Sequence, residues 1–260
     1  MTSHRVAGAA VAAIVTAVLL LAGCAATGTR GAVVQEDDDF GTAEVYAVQD
    51  GDLEPAPDER AATVWDLFVR VVTPAFAASS MSEYRAGDDA DSDTLAYVHR
   101  ADDPEYWVLA ANLAFADDQD LLLSTLIHEY GHILSLGVAD ADPDVTSCDT
   151  LELSEGCLAP DSLLLAFDER FWLPYGSDAP TPDDDDPDAA AAFYAAHEED
   201  FVSDYAATNV VEDFAESFMT FVLEDRPEDS SPVAEKLLFF WDVPEYVEIR
   251  DRIRAEFSLT

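Results

Sequence analysis

Five consecutive residues, His128-Glu129-Tyr130-Gly131-His132, set two imidazoles four positions apart with a carboxylate between them. On a helix, positions i and i+4 share a face, so His128 and His132 can direct ring nitrogens at one divalent cation. Glu129 then stands beside a water on that cation, placed to take its proton. This H-E-x-x-H spacing is the one zinc-dependent hydrolysis uses. Two histidines alone hold zinc weakly, and catalytic sites usually take three protein ligands and leave a position for water.

The third ligand is sought downstream, in Tyr205-Ala206-Ala207-Thr208-Asn209-Val210-Val211-Glu212-Asp213-Phe214-Ala215-Glu216. Asn209 is a suitable N-cap, and Glu212 and Glu216 fall on one helical face at i, i+4. Phe214, Phe218 and Phe221 supply the apolar side of the same helix. Glu212 completes a His2Glu set for one zinc ion per chain. Glu216 is placed to accept the free ring N–H of a ligand histidine and so fix its tautomer. In so acidic a chain the alternative for Glu212 is a solvated face, in which case the ligand role passes to Glu216 or Asp213.

These residues need elements to hold them. An apolar stripe of Leu122, Leu126, Ile133 and Leu136 predicts a helix through the motif, with Asp117 as N-cap, Asp120 near its third position and Gly137 as its stop. Residues 94–99 and 106–115 read as strands leading into it, and 60–78 as a helix interrupted near Pro74. Between the two metal-binding segments, the run Leu163-Leu164-Leu165-Ala166-Phe167 with Phe171, Trp172 and Tyr175 should pack on the domain. The acidic stretch 181–187 reads as a loop before a helix over 189–197. Helices over 233–241 and 244–257 close the chain, and the block Leu237-Leu238-Phe239-Phe240-Trp241 should bury against the Glu212 helix. The expected fold class is α+β: a mostly helical domain over 41–260, with a small sheet beside the H-E-x-x-H helix and an insertion at about 138–200.

The pairing of H-E-Y-G-H with a later Y-x-x-T-N-x-x-E-x-F-A-E resembles the gluzincin metallopeptidases, most closely the family of the anthrax lethal factor catalytic domain. The resemblance covers about 30 residues in two blocks, roughly 121–136 and 205–221. It implies a zincin-like fold, with zinc on His128, His132 and Glu212 and with Glu129 as general base. It also implies that Tyr205, ahead of the second block, assists the tetrahedral intermediate. His132 and Glu212 are farther apart in sequence than is usual for gluzincins, so the resemblance requires an insertion that loops out without disturbing the metal.

The amino terminus carries an uncharged run after Arg5, residues 6–22, rich in Ala, Val and Leu, as an export signal does. It ends in Leu21-Ala22-Gly23-Cys24, which resembles the lipobox of bacterial lipoproteins. That resemblance implies a signal peptide over 1–23, lipidation of Cys24 as the first mature residue and attachment to the outer face of the cell membrane. An uncleaved membrane anchor is the competing reading. Residues 24–40, small and polar with Glu36-Asp37-Asp38-Asp39, suit a flexible tether. With Cys24 taken by lipid, Cys148 and Cys157 are left to form a disulfide, which an exported protein can keep.

Twelve Lys and Arg against 55 Asp and Glu give a formal net charge of −43. Such a surface repels nucleic acid, and only the lipid would hold the chain at a membrane. The acidic stretches 88–93 and 181–187 lack the Gly and terminal Glu of an EF-hand loop, so calcium is not expected there. His99 and His197 read as structural or surface histidines.

The functional expectation is a membrane-tethered, extracytoplasmic zinc peptidase acting on peptides or proteins. A zinc-binding lipoprotein without turnover, serving as adaptor or metal sink, is the alternative from another class. A zinc hydrolase of a non-peptide amide in the cell envelope would use the same residues. Substrate preference and oligomeric state are not encoded in these motifs.

Overall fold

The computed structural model describes residues 32–145, 147–182 and 186–259. The expected leader and Cys24 lie outside them. Five strands form the path β1-β2-β4-β6-β5: β1 (Val33–Asp37), β2 (Gly41–Gln49), β4 (Met81–Gly87), β5 (Ala96–Arg100) and β6 (Trp107–Asn112). A sixth, β3 (Asp52–Glu54), pairs off β2. Only β4 and β6 run parallel, and β5 is an edge strand antiparallel to β6, with Val98 opposite Leu109. In β4, Tyr84 and Ala86 point into the core, while Glu83 and Arg85 pair with each other on the outer face at 2.6 Å.

Within the span 24–40 expected as a tether, the described residues do not stay extended and free. Val33–Asp37 is strand, registered on β2 from Val33↔Val45 to Asp37↔Gly41. The acidic run that reads as solvated chain builds a turn instead, because Asp37 Oδ1 accepts from the backbone of Asp39 and Phe40, each at 3.0 Å. Phe40 is thereby buried over Gly87, where a β-carbon would overlap its ring.

Helix α1 (Glu59–Val72), capped by Asp58, and α2 (Pro74–Ser80) meet at 102°, with Pro74 opening the second helix as the sequence predicts. Helix α3 (Gln119–Ser135) carries the motif. Its cap is Asp118, accepting from Leu121 N at 3.2 Å, one residue beyond the expected Asp117. The strand before it is shorter than expected. It stops at Asn112, whose side chain accepts from Ala114 N at 3.1 Å and turns 113–115 into a 3-10 turn. At the far end of α3, Arg100 of β5 donates to the carbonyl of Leu136, also bonding Ala141 O and Glu155 O. A guanidinium at a helix C-terminus satisfies its orphan carbonyls and opposes its dipole. The edge strand is thus fastened to the motif helix.

The long segment between the metal-binding blocks is ordered where described. A small sheet of β7 (Ala141–Asp142), β8 (Glu152–Leu153) and β9 (Gly156–Leu158) is closed by a Cys148–Cys157 disulfide. It leads to α4 (Leu163–Phe167), a π turn over Asp168–Trp172, and α5 (Pro187–His197). Leu164, Phe167 and Trp172 are buried, as expected. Helices α6 (Val210–Leu223), α7 (Pro232–Trp241) and α8 (Pro244–Phe257) complete the chain.

The apolar block of α7 buries in part. Leu237 and Phe240 enter the core, Phe240 between Phe214 at 5.0 Å and Phe221 at 5.5 Å, while Leu238, Phe239 and Trp241 stay half-buried on the flanks of a ten-residue helix. The fold is α+β, with the sheet beside α3. Among the described residues no single helix is long and apolar enough to cross a membrane.

Candidate metal centre

Helices α3 and α6 pack directly on one another, and their contact sets the site. Asn209 caps α6 by accepting from Val211 N at 2.9 Å and Glu212 N at 3.0 Å, which fixes where the helix starts and where Glu212 falls. Gly131 lies opposite Ala215, and the helices approach so closely that a β-carbon there would press on Ala215 and Phe218 at 3.1 Å. That approach brings Glu212 to the histidines across 80 positions of sequence.

His128 Nε2 and His132 Nε2 are 2.9 Å apart, and Glu212 Oε2 lies 3.1 Å from the first and 3.4 Å from the second. A four-coordinate ion with ligands at about 2.1 Å has tetrahedral edges of about 3.4 Å, so three such atoms fit around one cation. Glu212 Oε2 is buried and makes no aligned hydrogen bond, although two ring nitrogens face it. Two ring nitrogens and one carboxylate oxygen thus converge on a single point. These three side chains form a cluster that could hold a metal ion.

His128 is oriented from behind. Its Nδ1 lies 2.8 Å from Glu216 Oε1, and Ser203 Oγ donates to Glu216 Oε2 at 2.6 Å. The carboxylate fixes the proton on Nδ1 and leaves Nε2 free to coordinate. Ser203 had no signal in the sequence, being an ordinary loop serine.

The charges follow from burial and neighbours. Burial opposes a charge on His128, yet the carboxylates of Glu212 and Glu216 beside its two nitrogens hold it up at about 10. Burial alone would raise Glu212, but His132 and His128 hold its carboxyl well below the usual range. The metal-free site therefore favours a protonated His128 beside an ionised Glu212. Burial pushes Glu129 up to about 7, against the pull of both histidines. A carboxyl so poised can exchange a proton near neutrality.

The cluster opens on a cleft of about 800 Å³. Val98 and Tyr97 of β5 form one wall, and Tyr194 of α5 and Tyr205 form parts of the other. The backbone of Val98 lies near enough to the Glu129 carboxylate to favour its ionised form slightly. Tyr205 is 52% exposed at the cleft mouth, its ring 5.8 Å from that of His128. Tyr194 was not singled out by the sequence, since nothing in its helix marks which face meets the cleft. His99 stacks on Tyr97, and His197 packs on Tyr175 and Phe193, so neither joins the cluster.

No protein-family model, no curated protein and no solved structure matches this chain.

Proposed function

We propose that the chain is a zinc peptidase of zincin-like fold and gluzincin type. The observation that carries this reading is the convergence of His128, His132 and Glu212 beside an ionisable Glu129, within a cleft bordered by the free edge of β5. Bound there, zinc supplies an acidified water and polarises a carbonyl group. Glu129 would accept a proton from the attacking water and return it to the departing amine, a role its raised pKa suits. Tyr205 offers its hydroxyl to the developing negative charge on the carbonyl oxygen. Strand β5 offers backbone groups to an extended peptide, which explains why the edge strand is stapled to α3 through Arg100.

The lipobox-like Leu21-Ala22-Gly23-Cys24 supports placement outside the cell membrane, tethered by lipid at Cys24. A Cys148–Cys157 disulfide suits an oxidising compartment.

Glu129→Gln tests the reading. It should retain zinc and lower cleavage of a mixed peptide library by roughly 10²- to 10⁴-fold. Zinc-loaded wild type that cleaves no peptide would overturn it. Hydrolysis confined to cell-wall amides would then assign the site to a non-peptide substrate, and no turnover would leave a metal-binding lipoprotein.

A further inference from the structure

We propose that Asp213 is the positioning residue that turns Glu212 toward the metal, and that the segment between His132 and Glu212 is what holds Asp213 in place. The inference rests on the metal-site reading above and goes beyond it. It gives the intervening segment, expected to pack on the domain, a part in setting the site.

Neighbouring residues on an α-helix point about 100° apart, so whatever fixes the direction of Asp213 fixes that of Glu212. Asp213 is fully buried. Its Oδ2 accepts from Trp172 Nε1 at 2.7 Å and lies 2.7 Å from Lys236 Nζ, while Oδ1 accepts from Ser217 Oγ at 3.2 Å. Trp172 belongs to the π turn of the intervening segment and Lys236 to α7, so two separate parts of the chain grip one carboxylate. Lys236 is itself 2% exposed, and its ammonium sits 3.8 Å over the ring of Phe201.

The grip extends outward. Trp172 packs against Phe193 of α5 at 5.5 Å and Phe201 at 5.7 Å, and α5 presents Tyr194 to the cleft. The other contacts of α6 constrain it differently. Asn209 sets its start, Gly131 against Ala215 sets its distance from α3, and Glu216 bonds His128 and Ser203 one turn further on. Apolar packing is non-directional, whereas a carboxylate with three partners admits one orientation. A buried ion pair contributes little net stability over apolar side chains of the same volume, so specifying geometry is the better account of its presence here.

Two variants separate positioning from mere support. Trp172→Phe keeps a ring and removes the N–H donor. Asp213→Asn keeps the shape and removes the charge. Positioning predicts that each binds zinc about tenfold more weakly, the loss usual for groups that orient a metal ligand, and that the absorption spectrum of the cobalt-substituted protein changes. The double variant Asp213→Leu/Lys236→Met should fold and still bind zinc weakly.

A merely structural role predicts a lower unfolding midpoint of the metal-free protein with wild-type zinc affinity and an unchanged cobalt spectrum, and that result would overturn the proposal. Should Asp213→Asn fail to fold, Trp172→Phe decides alone. Wild type that takes up no zinc overturns this inference together with the peptidase reading. Wild type that binds zinc and cleaves, with variants that match its affinity and spectrum, overturns this inference alone.

Discussion

Gly131 and Ala215 touch where α3 crosses α6, so closely that a β-carbon on Gly131 would lie 3.1 Å from Ala215 Cα and 3.1 Å from the ring of Phe218. The motif glycine thus spaces the helix bearing two ligands from the helix bearing the third. Gly131→Val forces that backbone contact apart. Overpacking should cost about 1–3 kcal/mol in thermal unfolding of the metal-free protein, and separation of Glu212 from the histidines should weaken zinc at least about tenfold in a chelator competition. Unchanged zinc affinity would show that the helix spacing does not set the site.

Glu216 orients His128 through Nδ1 at 2.8 Å. Glu216→Gln keeps the size but can present its amide either way, so the ring tautomer is no longer dictated. Zinc affinity should fall about 10- to 100-fold, with cleavage per bound zinc falling less than affinity. The comparison is a zinc titration against turnover measured at saturating metal.

The Tyr205 ring lies 5.8 Å from that of His128 at the mouth of the cleft. Tyr205→Phe should leave zinc affinity unchanged and lower kcat by about 10²- to 10³-fold with little change in KM, as loss of an oxyanion donor does. A rise in KM at constant kcat would mean that the hydroxyl binds substrate without favouring the transition state.

Acidity acts on the two states of the site in opposite directions. In the metal-free protein His128 is held at about 10, above its ordinary 6.5. The resulting stabilisation is complete below the ordinary value and is lost as pH rises through about 10. Zinc requires the neutral imidazole, so its affinity strengthens over the same window. The midpoint of metal-free unfolding should fall as pH rises from 6.5, and the increment added by zinc should grow. An increment independent of pH would contradict the protonated His128.

Much of the site was legible because helical chemistry is local. The H-E-x-x-H spacing, the Asn209 cap and the i, i+4 pair Glu212 and Glu216 each rest on residues within one or two turns. Asp118 displaced Asp117 as the cap of α3 because several neighbouring carboxylates can serve and the 3-10 turn before the helix decides among them. Strands β1, β2 and β4 were harder to read. Each carries few large inward residues, such as Tyr46 or Tyr84, among small and charged ones, so the period-2 pattern is faint. The grip on Asp213 by Trp172 and Lys236 joins residues far apart in sequence, and no local pattern announces it.

The most direct measurement is metal content of the purified, folded protein, with and without the three donor side chains. One zinc per chain in wild type is predicted, lost on His128→Ala/His132→Ala and weakened by at least about a hundredfold on Glu212→Ala, since two remaining imidazoles hold the ion poorly. Wild type without zinc, or zinc retained after both imidazoles are removed, would contradict the account.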